Sequence, residues 1–268
     1  MGDRPVWLIG CGNMAGAMLQ GWLAAGRSPA NFHVIDPGDP DLPGGVDRAD
    51  GPSESGFGNS VVQLGFKPHM LADIAPDLSG AVGAETIVTS ILAGVEIATL
   101  RAAFPEARAI VRVMPNMPVA LGLGAVGVLG EPDREAATQE IAELLAPLGR
   151  IEPLSTEAAI NAVTVLAGSG PAFLYRFADS LAGAGAAIGL DAEQSLRLAL
   201  ATIQGAAAMA VEADENPAEL AERVASPGGT TRAGLDVLDA GDALSKLLEE
   251  TLAAAIGRAE EMAAETRG

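Results

Sequence analysis

A short apolar run, Val6-Trp7-Leu8-Ile9, leads into Gly10-Cys11-Gly12-Asn13-Met14-Ala15, after which Met18, Leu19, Trp22 and Leu23 recur at helical spacing. Strand, tight turn and helix in that order restrict the fold more than any other stretch of the chain. The turn has the form GxGxxA: Gly10 permits a sharp bend, Gly12 leaves room for a pyrophosphate over the helix N-terminus, and Ala15 lets helix and strand pack closely. Asn13 and Met14 open the helix at the same place. The glycines alone also suit a plain β-turn-α unit, but a second strand, Phe32-His33-Val34-Ile35, follows and ends at Asp36. A carboxylate there accepts hydrogen bonds from an adenosine ribose and repels a 2′-phosphate, which favours dinucleotide binding and leans towards NAD(H).

The next stretch, Pro37 to Asn59, is rich in Gly, Pro and Asp and has no helical period, so the crossover expected here is shortened or lost. Strands are predicted over Ser60–Phe66, Glu85–Ile91, Ala109–Val113, Ala125–Leu129 and Arg150–Pro153, with helices over Val95–Phe104 and Asp133–Leu145. Alternation of this kind makes a mostly parallel, doubly wound α/β sheet of the Rossmann type. Ligands bind such sheets at the C-terminal ends of the strands. The residues delivered there are Lys67-Pro68, Ala93-Gly94, and Asn116 between two prolines. Lys67 alone reads equally as a solvated lysine, and Asn116 as a side chain that stabilises its own turn.

After residue 155 the strand pattern stops. Helices are expected over Ser169–Gly189, with Phe173, Phe177, Leu181, Ala184 and Ile188 on one face and Gly183 and Gly185 admitting a close neighbour. Asp191 with Gln194 and Asn216 with Glu219 form capping-box patterns, and a last helix runs over Ala243–Glu265. The chain thus divides into a dinucleotide-binding domain, 1–155, and an all-helical domain, 156–268.

Within the helical part lies Ser226-Pro227-Gly228-Gly229-Thr230-Thr231. Pro227 presets its own φ, and Gly228 and Gly229 can adopt φ > 0, so the backbone can curl and aim N–H groups at one point. If Thr230 and Thr231 open a helix, its unpaired amides and positive dipole end suit a small carboxylate. From these six residues alone the plainer reading stands first, a Pro-Gly-Gly loop with a Thr N-cap.

Charge and composition narrow the partners. A formal net charge of −19 is unfit for nucleic acid or an anionic membrane, so an anionic ligand must be held locally by backbone amides. One cysteine and two histidines provide no disulfide and no metal site in a recognised spacing. The apolar run Val113 to Gly130 is broken by two prolines and four glycines and makes a poor membrane span. The expected location is the cytoplasm.

Taken in order, GCGNMA at 10–15, FKP at 66–68, ILAG at 91–94, VMPNMP at 113–118, GSGPAF at 168–173 and SPGGTT at 226–231 resemble the pyrroline-5-carboxylate reductase family over nearly the whole chain. The resemblance implies an NADP- or NAD-dependent reductase acting on a small cyclic imine. Gly10, Gly12, Asn13 and Met14 would hold the coenzyme pyrophosphate, and Lys67, Pro68, Ala93, Gly94 and Asn116 would lie along its ribose and nicotinamide. Ser226, Gly228, Gly229 and Thr230 would grip the substrate carboxylate, and the Thr231 hydroxyl would meet the ring nitrogen as the catalytic contact. It also implies a homodimer, or a larger homo-oligomer built from dimers, with 156–268 as the helical dimerisation and substrate-binding domain. The chain departs from the family at Met117, where Thr is common, and at Gly65-Phe66, where a small-aliphatic pair is usual.

Overall fold

The computed structural model describes residues 4–265. They group into two compact units, one of residues up to Ser169 together with those from Ala255 on, the other Gly170–Ala254.

The first unit is built on β1 (Val6–Ile9), α1 (Asn13–Ala24), β2 (Phe32–Ile35), β3 (Asp47–Arg48), β4 (Val61–Leu64), α2 (Leu71–Ser79), β5 (Ile87–Ser90), α3 (Ile97–Ala103), β6 (Ala109–Met114), β7 (Gly124–Gly130), α4 (Glu135–Leu145), β8 (Gly149–Pro153) and α5 (Glu157–Val163). The strands form one sheet in the order β3-β2-β1-β4-β5-β6-β7-β8, parallel throughout except for the β6–β7 pair. This is the mostly parallel, doubly wound sheet expected from the alternating pattern.

The central strands are buried along their whole length because helices cover both faces. Alternate residues feed two separate cores. Leu8, Val61, Ile87 and Val111 join Met18, Trp22 and Ile141 on one face, while Ile9, Val62, Val88 and Ile110 join Leu78, Leu100 and Phe104 on the other. Period-two alternation is what divides them.

Helix α2 lies where no element is predicted. Pro76 sits inside it and reads as a breaker, but Leu71, Ala75 and Leu78 are buried against the second core, and that packing outweighs the lost hydrogen bond. Between β2 and β4 the structure has no crossover helix, only β3, paired to β2 through His33–Asp47 and Val34–Arg48. The 155/156 boundary expected from the sequence falls earlier than the division by contacts. Ile160 is fully buried and packs with Met114 and Leu129, which keeps α5 with the sheet.

The second unit comprises α6 (Gly170–Ala187), α7 (Ala192–Glu212), α8 (Pro217–Arg223), α9 (Thr230–Asp239) and the start of α10 (Ala243–Glu265). Asp191 caps α7 by accepting from the Glu193 and Gln194 amides, and Asn216 with Glu219 forms the full reciprocal box. Helices α6 and α7 meet through small residues. Ser195 Oγ donates to Ala182 O at 2.7 Å, and a Cβ on Gly185 would lie 2.2 Å from that hydroxyl. Gly185 therefore serves the close approach, whereas a Cβ on Gly183 would meet nothing within 4 Å. Of the large residues expected on one face, Phe177 and Leu181 of α6 and Ile188 just beyond it are exposed.

Candidate coenzyme cleft and carboxylate turn

The strand order reverses at β1, with β2 on one side and β4 on the other, and the turns leaving these strands make the crevice of a doubly wound sheet. Gly10 there has φ +85° and donates its amide to Ile35 O at 2.9 Å. A Cβ on Gly10 would stand 2.9 Å from the Phe66 amide nitrogen, and one on Gly65 would stand 2.6 Å from Gly10 O. The two turns pack backbone to backbone. Gly65, a departure from the family pattern, is thereby explained: any side chain would push the turns apart.

Gly12 meets the requirement for a pyrophosphate. A Cβ there would have nothing within 4 Å, no side chain caps α1, and no acidic residue lies in its first turn. The first amides of a 12-residue helix and its positive dipole end are thus left for an anion. The chain fits a dinucleotide at this point.

A cleft of about 880 Å³ opens from this turn, lined by Gly10, Gly12, Asn13, Met14, Asp36, Lys67, Pro68 and Ala93 together with Asp50 and Asp77. Its size matches a cofactor site. Asp36 is held from two sides, accepting the Cys11 amide at 2.6 Å on Oδ2 and the Gly38 amide at 2.7 Å on Oδ1. Burial, and secondarily the Asp36 charge, push the Cys11 thiol up to about 11, so it stays protonated and inert near neutrality. Gly94 follows Ala93 with φ +77°.

Asn116 does not line the cleft. It is 7% exposed, its Oδ1 accepts the Ala125 amide at 2.9 Å, and its Nδ2 donates to Ala167 O at 3.0 Å. Its side-chain hydrogen bonds go neither to the cleft nor to its own turn but to two distant segments, the strand β7 and the stretch that follows α5.

The Ser226–Thr231 segment is a β-turn followed directly by a helix. Gly229 N donates to Ser226 O at 2.9 Å with Pro227 and Gly228 between them, and Gly228 has φ +73°, as position three of a type II turn requires. Gly229 has φ −81° and serves as N-cap of α9, so only one of the two glycines uses a left-handed conformation. No side chain caps α9 and its first turn has no acidic residue. The competing expectation, a Thr as N-cap, is not met; Thr230 and Thr231 are the first two helical residues, and both are exposed.

One contact beside this turn, a pairing between two helices, escapes a reading by motif. Arg232 Nη1 grips both oxygens of Glu222 at 2.7 and 2.9 Å, and Nε donates to Asp236 Oδ1 at 2.9 Å. The hydrogen bonds and charge of Glu222, aided by Asp236, raise the Arg232 pKa further. Glu222 lies on α8 and Arg232 on α9, so the fork spans the turn and fixes the angle between its flanking helices. The structure brings together the residues of the cleft in one unit and those of the turn in the other.

Comparison with known proteins places these features. Residues 157–262 match the pyrroline-5-carboxylate reductase dimerisation family. The chain is 36% identical to pyrroline-5-carboxylate reductase of Pseudomonas aeruginosa, covering 98% of both chains, and 32% identical to that of Methanosarcina acetivorans over 89% of this chain and 91% of the other. Among solved structures it resembles a pyrroline-5-carboxylate reductase from Coxiella burnetii, with a TM-score of 0.87, 29% identity and coverage of 97% and 99%. The Plasmodium falciparum pyrroline carboxylate reductase with NADP bound shares the fold, with a TM-score of 0.84 at 24% identity over 98% and 99% of the chains. With that likeness over nearly its full length, the chain belongs to the pyrroline-5-carboxylate reductase family.

Proposed function

We propose that the chain reduces 1-pyrroline-5-carboxylate to L-proline, with NADPH or NADH as reductant. The observation that carries this reading is the Ser226–Gly229 turn opening onto the uncapped start of α9, in a chain 36% identical to a reductase of that name. Bound reduced nicotinamide supplies a hydride for the imine carbon. The chain's part is to bind, align and hold a proton. Gly10, Gly12, Asn13 and Met14 take the pyrophosphate on the α1 amides, Asp36 the adenosine ribose, and Lys67, Pro68, Ala93 and Gly94 the nicotinamide half. Asn116 supports that half from behind through its ties to Ala125 and Ala167. Ser226, Gly228, Gly229 and Thr230 receive the carboxylate, and the Thr231 hydroxyl accepts the N–H of the protonated imine. An iminium is already electrophilic, so no histidine, thiolate or metal is needed to activate it, and the protonated Cys11 agrees with that division of labour.

The chain homo-oligomerises through the helical part, and we assign a homodimer as its unit. Phe177, Leu181, Leu198 and Met209 are exposed apolar residues of α6 and α7, and a second copy would cover them. Among the described residues the helical run Glu157–Ala187 is long and apolar enough to cross a membrane by length and composition. It overlaps the dimerisation match from its first residue, so burial in an oligomer accounts for its character, and we place the enzyme in the cytoplasm.

A 3-hydroxy-acid reductase of the same architecture would need a lysine in the helical part. Lys246 is exposed there, donating to Gly241 O at 2.8 Å and lying 3.9 Å from Asp242, away from the turn in sequence and engaged in its own helix. The deciding experiment is oxidation of NADH and of NADPH, followed separately, with 1-pyrroline-5-carboxylate. Proline as product establishes the reaction. A folded oligomer that binds coenzyme but forms no proline refutes it.

A further inference from the structure

Arg112 is an oddity of the sheet core. It lies in β6, is 2% exposed, and is an arginine in a strand whose six residues are all buried. In register with Ser90 at the end of β5, it stands beside the loop of residues 91–96 that leads to α3. Its Nη1 pairs with Glu157 Oε2, and its Nη2 reaches Leu92 O at 3.5 Å. The other oxygen of Glu157 accepts the Ile97 amide, the first of α3, at 2.8 Å. Ser90 Oγ accepts the Leu92 amide at 3.2 Å. The loop is therefore held at its start by Ser90 and Arg112 and at its end by Glu157.

That loop carries Ile91, Leu92 and Ala93, all of which line the coenzyme cleft, and its Gly94 adopts φ +77°. A buried guanidinium is costly to desolvate, and a well-packed apolar residue would serve the core at least as well. Stability alone gives no reason for this pair. Glu157 is also the first residue of α5 and the first residue of the dimerisation match, whereas the loop belongs to the cleft.

We propose that Arg112 and Glu157 are positioning residues for coenzyme binding, clamping the 91–96 loop so that Ile91, Leu92 and Ala93 present a preorganised wall to the coenzyme. The inference rests on the cleft being the coenzyme site. Without the clamp, coenzyme binding must bear the ordering of the loop.

The test is fluorescence titration of NADH and NADPH against the full chain, with no pyrroline substrate present. Glu157→Ala removes both ties and is expected to weaken both coenzymes about tenfold, while Glu157→Gln, which keeps an acceptor for the Ile97 amide, weakens them about threefold. Thr156→Ala is the control for stability: it deletes the N-cap bond to the Ala159 amide at the same helix start without touching the loop. Its coenzyme affinity should equal that of the parent. Affinity within twofold of the parent in Glu157→Ala, or an equal loss in Thr156→Ala, overturns the proposal. If Glu157→Ala does not fold, Glu157→Gln decides: a threefold loss supports the clamp and an unchanged affinity ends it. A parent that binds both coenzymes but forms no proline refutes the reaction and leaves this inference standing.

Discussion

Gly10 and Gly65 face one another backbone to backbone where the strand order reverses, and neither has room for a methyl group. The carbonyl of Gly10 lies 2.6 Å from where a Gly65 Cβ would be, and the Phe66 amide lies 2.9 Å from where a Gly10 Cβ would be. Gly10 also has φ +85°, which adds backbone strain to the clash for any other residue. Gly65→Ala should therefore separate the turns, weakening NADH and NADPH by about tenfold or more and lowering stability by about 1–3 kcal/mol. Coenzyme titration and thermal melting check this; parental affinity in the Gly65→Ala variant would show that the turns yield freely.

Asp36 and Asp50 line the cleft, and the nearest arginine after Asp36 in sequence, Arg48, is engaged by Asp39 and the Pro40 carbonyl. A 2′-phosphate entering there meets carboxylates, and in the partly dry cleft the repulsion is poorly screened. We expect a higher kcat/KM with NADH than with NADPH, and Asp36→Ala should shift the ratio at least about tenfold towards NADPH. Because Asp36 also holds the Cys11 and Gly38 amides, NADH affinity should fall in the same variant. Preference for NADPH in the parent would exclude this account.

The Thr231 hydroxyl and the Arg232–Glu222 fork are expected to affect turnover and not coenzyme binding. Thr231→Val keeps the shape and removes the hydrogen bond, so kcat should drop by about ten- to a hundredfold. Arg232→Leu releases α8 from α9 and should raise the KM for the pyrroline substrate several-fold through the loosened turn. Surface ion pairs contribute little to stability, so its melting temperature should stay near that of the parent. Full activity in Thr231→Val would remove Thr231 from the mechanism.

Glu131 provides a pH signature. Burial alone would push its carboxyl up, but the two-pronged hydrogen bond from Arg101, the Ile110 amide and the charges of Arg101 and Arg134 outweigh it, and its pKa ends below the ordinary 4.5. A folded-state pKa below the unfolded one stabilises the fold above about 4.5, and that contribution is lost as pH falls through the lowered value. Acid melts of Glu131→Gln should lose less stability between about pH 5 and 3 than the parent. Parallel curves would count against the coupling.

Local chemistry determined much of this protein by itself. The glycines of the first turn, the Asp at the end of the second strand, the absence of a crossover helix over 37–59 and the turn-then-helix form of Ser226–Thr231 all follow from short-range rules, since φ > 0, hydrophobic period and helix starts are properties of neighbouring residues. So does the last helix, which spans Ala243–Glu265 as its pattern predicts. Three features were settled only by the tertiary structure. Helix α2 forms across Pro76 because the second core repays it, Asn116 turns to Ala125 and Ala167 from 9 and 51 residues away, and Gly65 must be glycine because Gly10 approaches it from another strand. The Arg112–Glu157 pair, 45 residues apart, belongs with them. Each depends on which distant backbone a residue meets, and sequence spacing along one segment contains no information about that distance.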